Sequence, residues 1–128
     1  MAARIVRLGT ARTEGEGVRI GTVRRPPRGV RKSDYASRNF YDVWFPTLAP
    51  SPAAVKLGLT AKTPGQLARF TKRYLAEMRK PQARQAIEML AKLSHHANFS
   101  VGCYCENESR CHRSILRELL VEKGAKVG

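Results

Sequence analysis

The sequence is poor in acidic residues and has no long apolar stretch. Ten Asp and Glu stand against 24 Lys and Arg in 128 residues, for a formal net charge of +14. No apolar run reaches the roughly 18 residues that a membrane-spanning helix needs. Residues 1–8 show neither the apolar stretch nor the small-residue cleavage site of a signal peptide. We therefore expect a cytoplasmic protein with no role in a membrane.

Cysteine is also scarce, and its three copies all fall between positions 103 and 111. An odd, clustered count argues against a disulfide framework and favours free thiols or metal ligands. The chain shows no internal repeat and no low-complexity tail. Its length predicts a single domain over residues 1–128, with a core from about residue 4 to about residue 122.

The excess positive charge attracts anions, and it favours an anionic small molecule, a phosphate group or a nucleic acid as the partner. Charge alone carries no geometry, so a protein that is merely basic would look the same. The composition identifies no cofactor and no oligomeric state.

The N-terminal half predicts two short strands joined by a glycine-containing loop. Apolar residues alternate over 5–8 and again over 17–23, where Pro26 and Pro27 end the second strand. A basic, proline-stiffened loop follows over residues 24–32. Beyond it, Tyr41, Trp44 and Phe45 are expected in the core rather than on a base-stacking surface.

The C-terminal half predicts helices over residues 51–57, 63–79, 81–93 and 112–123, from Ser or Pro starts and apolar residues spaced three or four apart. Residues 99–103 are short and apolar and predict a buried strand, and Gly124 is the expected C-cap. The expected fold class is α/β: a small sheet with helices packed on it, and a C-terminal strand–loop–helix that carries a Cys-His-Arg turn.

The candidate site is the segment from Cys103 to Arg113, where a buried strand passes through a polar loop (residues 106–110) into a helix. Ligands of α/β proteins bind at strand ends and at the following helix N-termini, whose free N–H groups favour anions. We expect an anion or phosphate to bind the amides of residues 112–114. The side chains expected to bind the ligand are Arg24, Arg28, Arg113 and Ser114, with Arg110 nearby.

Two other chemistries compete with the anion site. Cys103, Cys105, Cys111 and His112 could bind zinc in a structural site, although Cys-x-Cys spacing is less typical than Cys-x-x-Cys and adjacent Cys111 and His112 are expected to point apart. Alternatively, Cys111 at a helix N-terminus should have a lowered pKa and act as a nucleophile or redox centre. Simple packing of small buried cysteines is the fourth interpretation. A phosphatase loop is excluded, because four residues separate Cys105 from Arg110 where that motif has five.

Several motifs together resemble the domain of unknown function 488 family, closest to its YeaO-like branch. The resemblance spans about residues 4–120 and rests on these motifs: Val18-Arg19-Ile20 through Arg24, Pro27-Arg28-Gly29-Val30-Arg31-Lys32-Ser33-Asp34, Trp44, Pro50-Ser51, and Cys103 followed by Cys111-His112-Arg113. It implies a compact α/β fold and one site shared by the first-strand Arg and the Cys-His-Arg turn.

The sequence departs from that branch at Val23, where YeaO-like members commonly have an Asp. Acid–base chemistry through that carboxylate is therefore not expected, and the acids that could replace it are Asp34, Asp42, Glu106 and Glu108.

These observations favour a basic α/β domain with an anion-binding cleft, in which Cys111 and His112 are the candidate catalytic residues. Whether this domain is an enzyme acting on a phosphate-bearing or nucleotide-like ligand is left open by the sequence. The alternatives are a non-catalytic nucleic-acid-binding module and a zinc-stabilised structural domain.

Overall fold

A computed structural model of the chain describes residues 1–105 and 111–128, and the predicted polar loop at 106–110 lies outside these ranges. Within them, four parallel strands form one sheet in the order β1-β4-β2-β3. The strands are β1 (Ala3–Arg7), β2 (Val18–Gly21), β3 (Val43–Trp44) and β4 (Phe99–Cys103). The α-helices are α1 (Pro52–Thr60), α2 (Pro64–Met78), α3 (Pro81–Leu93) and α4 (His112–Glu122). The predicted α/β class is confirmed.

The helices begin within about one residue of where the sequence predicts, and in α1 and α2 a side chain accepts a hydrogen bond from the first turn. Ser51 Oγ accepts a hydrogen bond from the amide of Ala54 at 3.2 Å. Thr63 and Gln66 form a reciprocal capping box at the start of α2. Gly124 adopts a φ of +89° just after α4, which confirms the expected helix end. No helix of the described ranges is long and apolar enough to cross a bilayer.

The two faces of the sheet are covered differently. One face packs on the helices: Val101 in the central strand β4 joins Tyr74, Leu90 and Leu116 in the main buried cluster. On the other face the ring of Tyr41 lies against Gly21, leaving no room there for a side chain. A second buried cluster lies where the strands end at the carboxyl edge of the sheet, and its members are Leu8, Val23, Tyr41, Cys103 and Cys111.

The aromatic residues after the basic loop do not all reach the core. Tyr41 is buried and Phe45 packs against the main cluster. Trp44 is 43% exposed, so its expected place in the core is wrong. The reason is its position in the edge strand β3, where the indole Nε1–H donates to the carbonyl of Val23 at 2.8 Å instead of being buried.

Candidate functional site

The candidate site lies at the carboxyl edge of the sheet. β4 ends at Cys103, β2 is followed by Thr22 and Val23, and α4 begins at His112 directly after Cys111. Because parallel strands present their carboxyl ends at one edge, these segments meet there. We call Cys103, Cys105, Cys111 and His112 the thiol–imidazole cluster.

The cluster is closely packed. Cys103 Sγ lies 2.7 Å from Cys111 Sγ, and Cys111 Sγ lies 3.5 Å from His112 Nδ1. The expectation that Cys111 and His112 point apart is therefore wrong. Cys111 is the extended N-cap residue (φ −125°, ψ 159°), whereas His112 is the first helical residue, and this change of backbone direction turns both side chains to the same side.

Hydrogen bonding fixes the protonation of His112. Its Nε2 lies 2.7 Å from the carbonyl oxygen of Thr22, which can only accept, so Nε2 carries the proton. Nδ1 then presents a lone pair towards Cys111 Sγ. Burial lowers the pKa of His112 to about 4, against the opposing effect of the Thr22 carbonyl. The imidazole is therefore neutral at pH 7.

The thiol with the lowered pKa is Cys105, and not Cys111 as the sequence suggests. Hydrogen bonds from Cys103 and then Cys111 lower the pKa of Cys105. For Cys111, the hydrogen bond with Cys103 lowers the pKa, but the contact with Cys105, burial and the charge on Cys105 together raise it to about 11. The expected low pKa of Cys111 is thus wrong. The more exposed Cys105 is the thiol on which a negative charge is best stabilised.

A cleft of about 870 Å³ opens above the cluster. Its lining includes Cys103, Cys105, Cys111 and His112, which we call its floor, and the rest of the lining, which we call its walls, is mainly apolar. The apolar wall residues include Val23, Phe40, Val55, Leu59, Phe70 and Tyr104, together with prolines at 26, 27, 50 and 52. Four cations also line it, namely Arg24, Arg25, Arg28 and Lys56. Arg25, Arg28 and Lys56 are exposed, and we call them its rim. Volumes of this size are typical of small-molecule sites.

Of the four predicted ligand-binding residues, Arg24 and Arg28 line the cleft. Arg28 lines the cleft and is exposed. Arg24 also lines it, but its guanidinium donates to the carbonyls of Pro46, Ala49 and Pro50 and so braces the loop before α1. Its role in ligand binding stays a prediction.

Arg113 and Ser114 lie outside the lining of the cleft, as far as the structure describes it. Arg113 is buried and its Nη2 donates to the carbonyl of Cys105 at 2.6 Å, while Ser114 Oγ donates to the carbonyl of Cys111 at 3.0 Å. Both hold the turn that presents the thiols, and their contact with a ligand also stays a prediction.

Of the acids considered as replacements at position 23, Asp42 pairs with Arg12 and accepts from the amide of Arg19, away from the cleft. Asp34 does not line the cleft either. Glu106, Glu108 and Arg110 lie outside the described residues. Val23 itself lines the cleft as an apolar wall.

Sequence reasoning missed Lys56 and Arg25 as cleft cations and Thr22 as the partner of His112. Arg25 sits in the basic loop and could have been included with Arg28. Lys56 is an isolated cation on α1, and no local pattern connects it with a cysteine 47 positions further on.

The arrangement supports two kinds of chemistry. A thiol beside an imidazole, with the imidazole oriented by a third group, is the geometry of an activated sulfur nucleophile. The donor atoms of Cys103, Cys111 and His112 also lie within 4.8 Å of one another, so these three residues could hold a metal ion. Both chemistries place the reacting atoms beneath a cleft with cations on its rim.

A family model named DUF488-N3a, described as the active DUF488-N3 subclade, matches residues 3–124. Comparisons with the curated proteins and with the solved structures found no match. The family match confirms the resemblance to the domain of unknown function 488 family. It describes the N3 subclade and does not test the YeaO-like branch.

Proposed function

The chain belongs to the domain of unknown function 488 family, and from this premise we propose that it is an enzyme acting on a phosphate-bearing anion of nucleotide size. The observation that carries the proposal is the position of the thiol–imidazole cluster on the floor of a cleft whose rim is cationic. The description of the matching subclade as active supports catalysis but names no reaction.

The cleft divides into two chemically distinct parts. Its walls, including Phe40, Val55 and Tyr104, are apolar and suit an uncharged, planar part of a ligand. Arg25, Arg28 and Lys56 line the same cleft and have exposed side chains. A ligand with an apolar body and a phosphate matches both parts, since exposed cations bind a phosphate through charge-assisted hydrogen bonds.

Cys111 and His112 are the proposed reacting residues. Their side chains adjoin at 3.5 Å, and the Thr22 carbonyl orients the imidazole so that Nδ1 faces the sulfur. Arg113 supports this end of the cleft by binding the Cys105 carbonyl.

The binding of AMP and of inorganic pyrophosphate, measured by calorimetry, tests the proposal. In an Arg28→Ala/Lys56→Ala variant the affinity should fall roughly tenfold or more, because each charge-assisted hydrogen bond contributes about 1.5–3 kcal/mol. The matched control is Arg69→Ala/Arg79→Ala, which removes the same charge from exposed positions of α2 and its end, outside the cleft.

An equal loss of affinity in the two variants would show that the overall positive charge of the protein binds the anion. Unchanged affinity in both variants would show that the cleft cations do not bind it. Duplex DNA in parallel titrations covers the nucleic-acid alternative. Tighter binding of DNA than of AMP, falling steeply with salt in both variants, would favour a nucleic-acid-binding module instead.

A further inference from the structure

We propose that Cys103, Cys111 and His112 bind one zinc ion on the floor of the cleft and leave its fourth coordination position facing the cleft. The three side chains are buried, and their donor atoms lie within 4.8 Å of one another. Two thiolates and one imidazole are preferred zinc ligands, and three protein ligands with one open position are the arrangement of catalytic zinc sites.

The hydrogen bond of His112 favours metal binding. A histidine that binds zinc through one nitrogen usually donates its other N–H to a carbonyl or carboxylate, which fixes the tautomer and the ring. Here Nε2 donates to the Thr22 carbonyl, and Thr22 Oγ1 lies 3.3 Å from the same nitrogen. The unprotonated Nδ1 is left facing Cys111 Sγ, in the orientation that a metal ligand requires.

The charge of the assembled site also fits its burial. Two thiolates and Zn²⁺ sum to zero, so the buried site carries no net charge, whereas an isolated buried charge is expensive. Cys103 and Cys111 are only 2% and 4% exposed. A cation bound between two thiolates at this depth neutralises a buried negative charge that would otherwise be costly.

The geometry requires one small adjustment. Sulfur atoms at the usual Zn–S distance of about 2.3 Å in a tetrahedron are about 3.8 Å apart. The Sγ atoms of Cys103 and Cys111 stand at 2.7 Å, so they must separate by about 1 Å. Rotation about the side-chain bonds of two cysteines accommodates such a change without moving β4 or α4.

The open position connects the metal with the proposed function, and this part of the inference rests on that proposed function. All three ligands line the cleft, so an oxygen of a bound anion or a water molecule can reach the fourth position. Zinc there acts as a Lewis acid or lowers the pKa of bound water, and Cys111 and His112 then act in the reaction as zinc ligands instead of as a free nucleophile and its base. Cys105 is exposed and also lines the cleft, and its coordination would instead close the site into a four-ligand structural one.

Metal content tests the inference. Protein produced with added zinc and purified without chelator should contain one zinc per chain by elemental analysis. Cys103→Ser, Cys111→Ser and His112→Gln should each weaken zinc affinity at least tenfold, while Cys105→Ser should retain one zinc per chain. Loss of zinc in Cys105→Ser would show that Cys105 is a fourth ligand and that the site is closed. Less than one zinc per chain in the parent protein would contradict the proposed site altogether.

A second measurement does not depend on the variants folding. Zinc-loaded parent protein is treated with iodoacetamide and analysed by mass spectrometry, and Cys105 should be alkylated while Cys103 and Cys111 are protected. Because both thiols are also buried without metal, the comparison is made over a series of urea concentrations. Addition of a chelator should make both thiols react at lower urea, and equal alkylation with and without zinc throughout the series would contradict the proposal. AMP binding to the zinc-free protein is measured separately. An error in the proposed anion binding and an error in the proposed metal site therefore give different results.

Discussion

Two buried polar clusters border the same central strands, and they differ in how fully their groups are paired. The first joins Glu16, Arg19 and Ser100 near the middle of β2 and β4. The second is the thiol–imidazole cluster with Arg113, where β4 ends and α4 begins. Each contains one arginine that is almost wholly buried, at 0% exposure for Arg19 and 4% for Arg113.

In the first cluster every charged group has a partner. Arg19 Nε and Nη2 donate to the Glu16 carboxylate at 2.7 and 2.9 Å. Its Nη1 donates to the carbonyls of Thr10 and Asn39, and Ser100 Oγ donates to Glu16 at 2.7 Å. This bidentate pair is closed to ligands and holds the loop of residues 10–17 against the sheet.

In the part of the chain that the structure describes, the second cluster is less completely paired. Within the described residues Arg113 has no carboxylate partner, and its buried Nε has no hydrogen-bond acceptor there. Beside it lie a neutral imidazole, whose Nδ1 lone pair faces Cys111 Sγ, and three thiols that line the cleft. Complete pairing indicates a structural role, whereas buried polar groups with unused valence beside a cleft indicate a site for a ligand.

The largest effect is expected from Arg19→Met, which leaves the buried Glu16 carboxylate without its partner. The free energy of unfolding should fall by about 3–5 kcal/mol in urea denaturation. Arg84→Ala is the control, because its ion pair with Glu88 spans 4.0 Å between half-exposed side chains and should contribute under about 1 kcal/mol. A loss for Arg19→Met no greater than the control's would mean that the first cluster does not support the fold.

The second largest effect is expected from acid, which should weaken the first cluster. Hydrogen bonds from Arg19, opposed by burial and aided by Ser100, lower the pKa of Glu16 from 4.5 to about 2. Because the folded-state pKa is depressed, this stabilisation is present above pH 4.5 and is lost as the pH falls towards 2. It amounts to about 3 kcal/mol. Melting temperature measured against pH should show this loss, and Glu16→Gln should lack it while Glu88→Gln keeps it.

The smallest effect is expected from Arg113→Met, the matched change in the second cluster. Methionine keeps most of the apolar stem, and among the described residues the hydrogen bond to the Cys105 carbonyl is the one that is lost. The free energy of unfolding should fall by about 1 kcal/mol. A loss as large as that of Arg19→Met, measured in the same urea series, would show that Arg113 is structural and remove the contrast between the clusters.

Local sequence signals located most of the elements. Apolar spacing and capping residues predicted α2, α3 and α4 within about one residue at each end, because these signals act within one or two helical turns. The two-residue strand β3 was missed, since it is too short to show an alternating pattern. The exposed Trp44 was misplaced for a related reason: composition does not distinguish an edge strand from a central one.

The segment around Cys111 and His112 was identified as the candidate site from the sequence, but its internal arrangement was not. Whether adjacent side chains converge depends on the change of backbone direction at the start of α4, and the pKa order of the thiols depends on which of them is exposed. The cleft cation Lys56 lies on α1, far from the cysteines along the chain.

The sequence by itself determined the α/β class, the family resemblance, the excess of positive charge and the segment that carries the thiols. These follow from local pattern and composition. Only the tertiary structure decided that Arg19 pairs with Glu16, that Arg113 has no carboxylate partner among the described residues, and that Thr22 orients His112. Such pairings join residues up to 90 positions apart, so they depend on strand order and register, which are set by packing of the whole sheet.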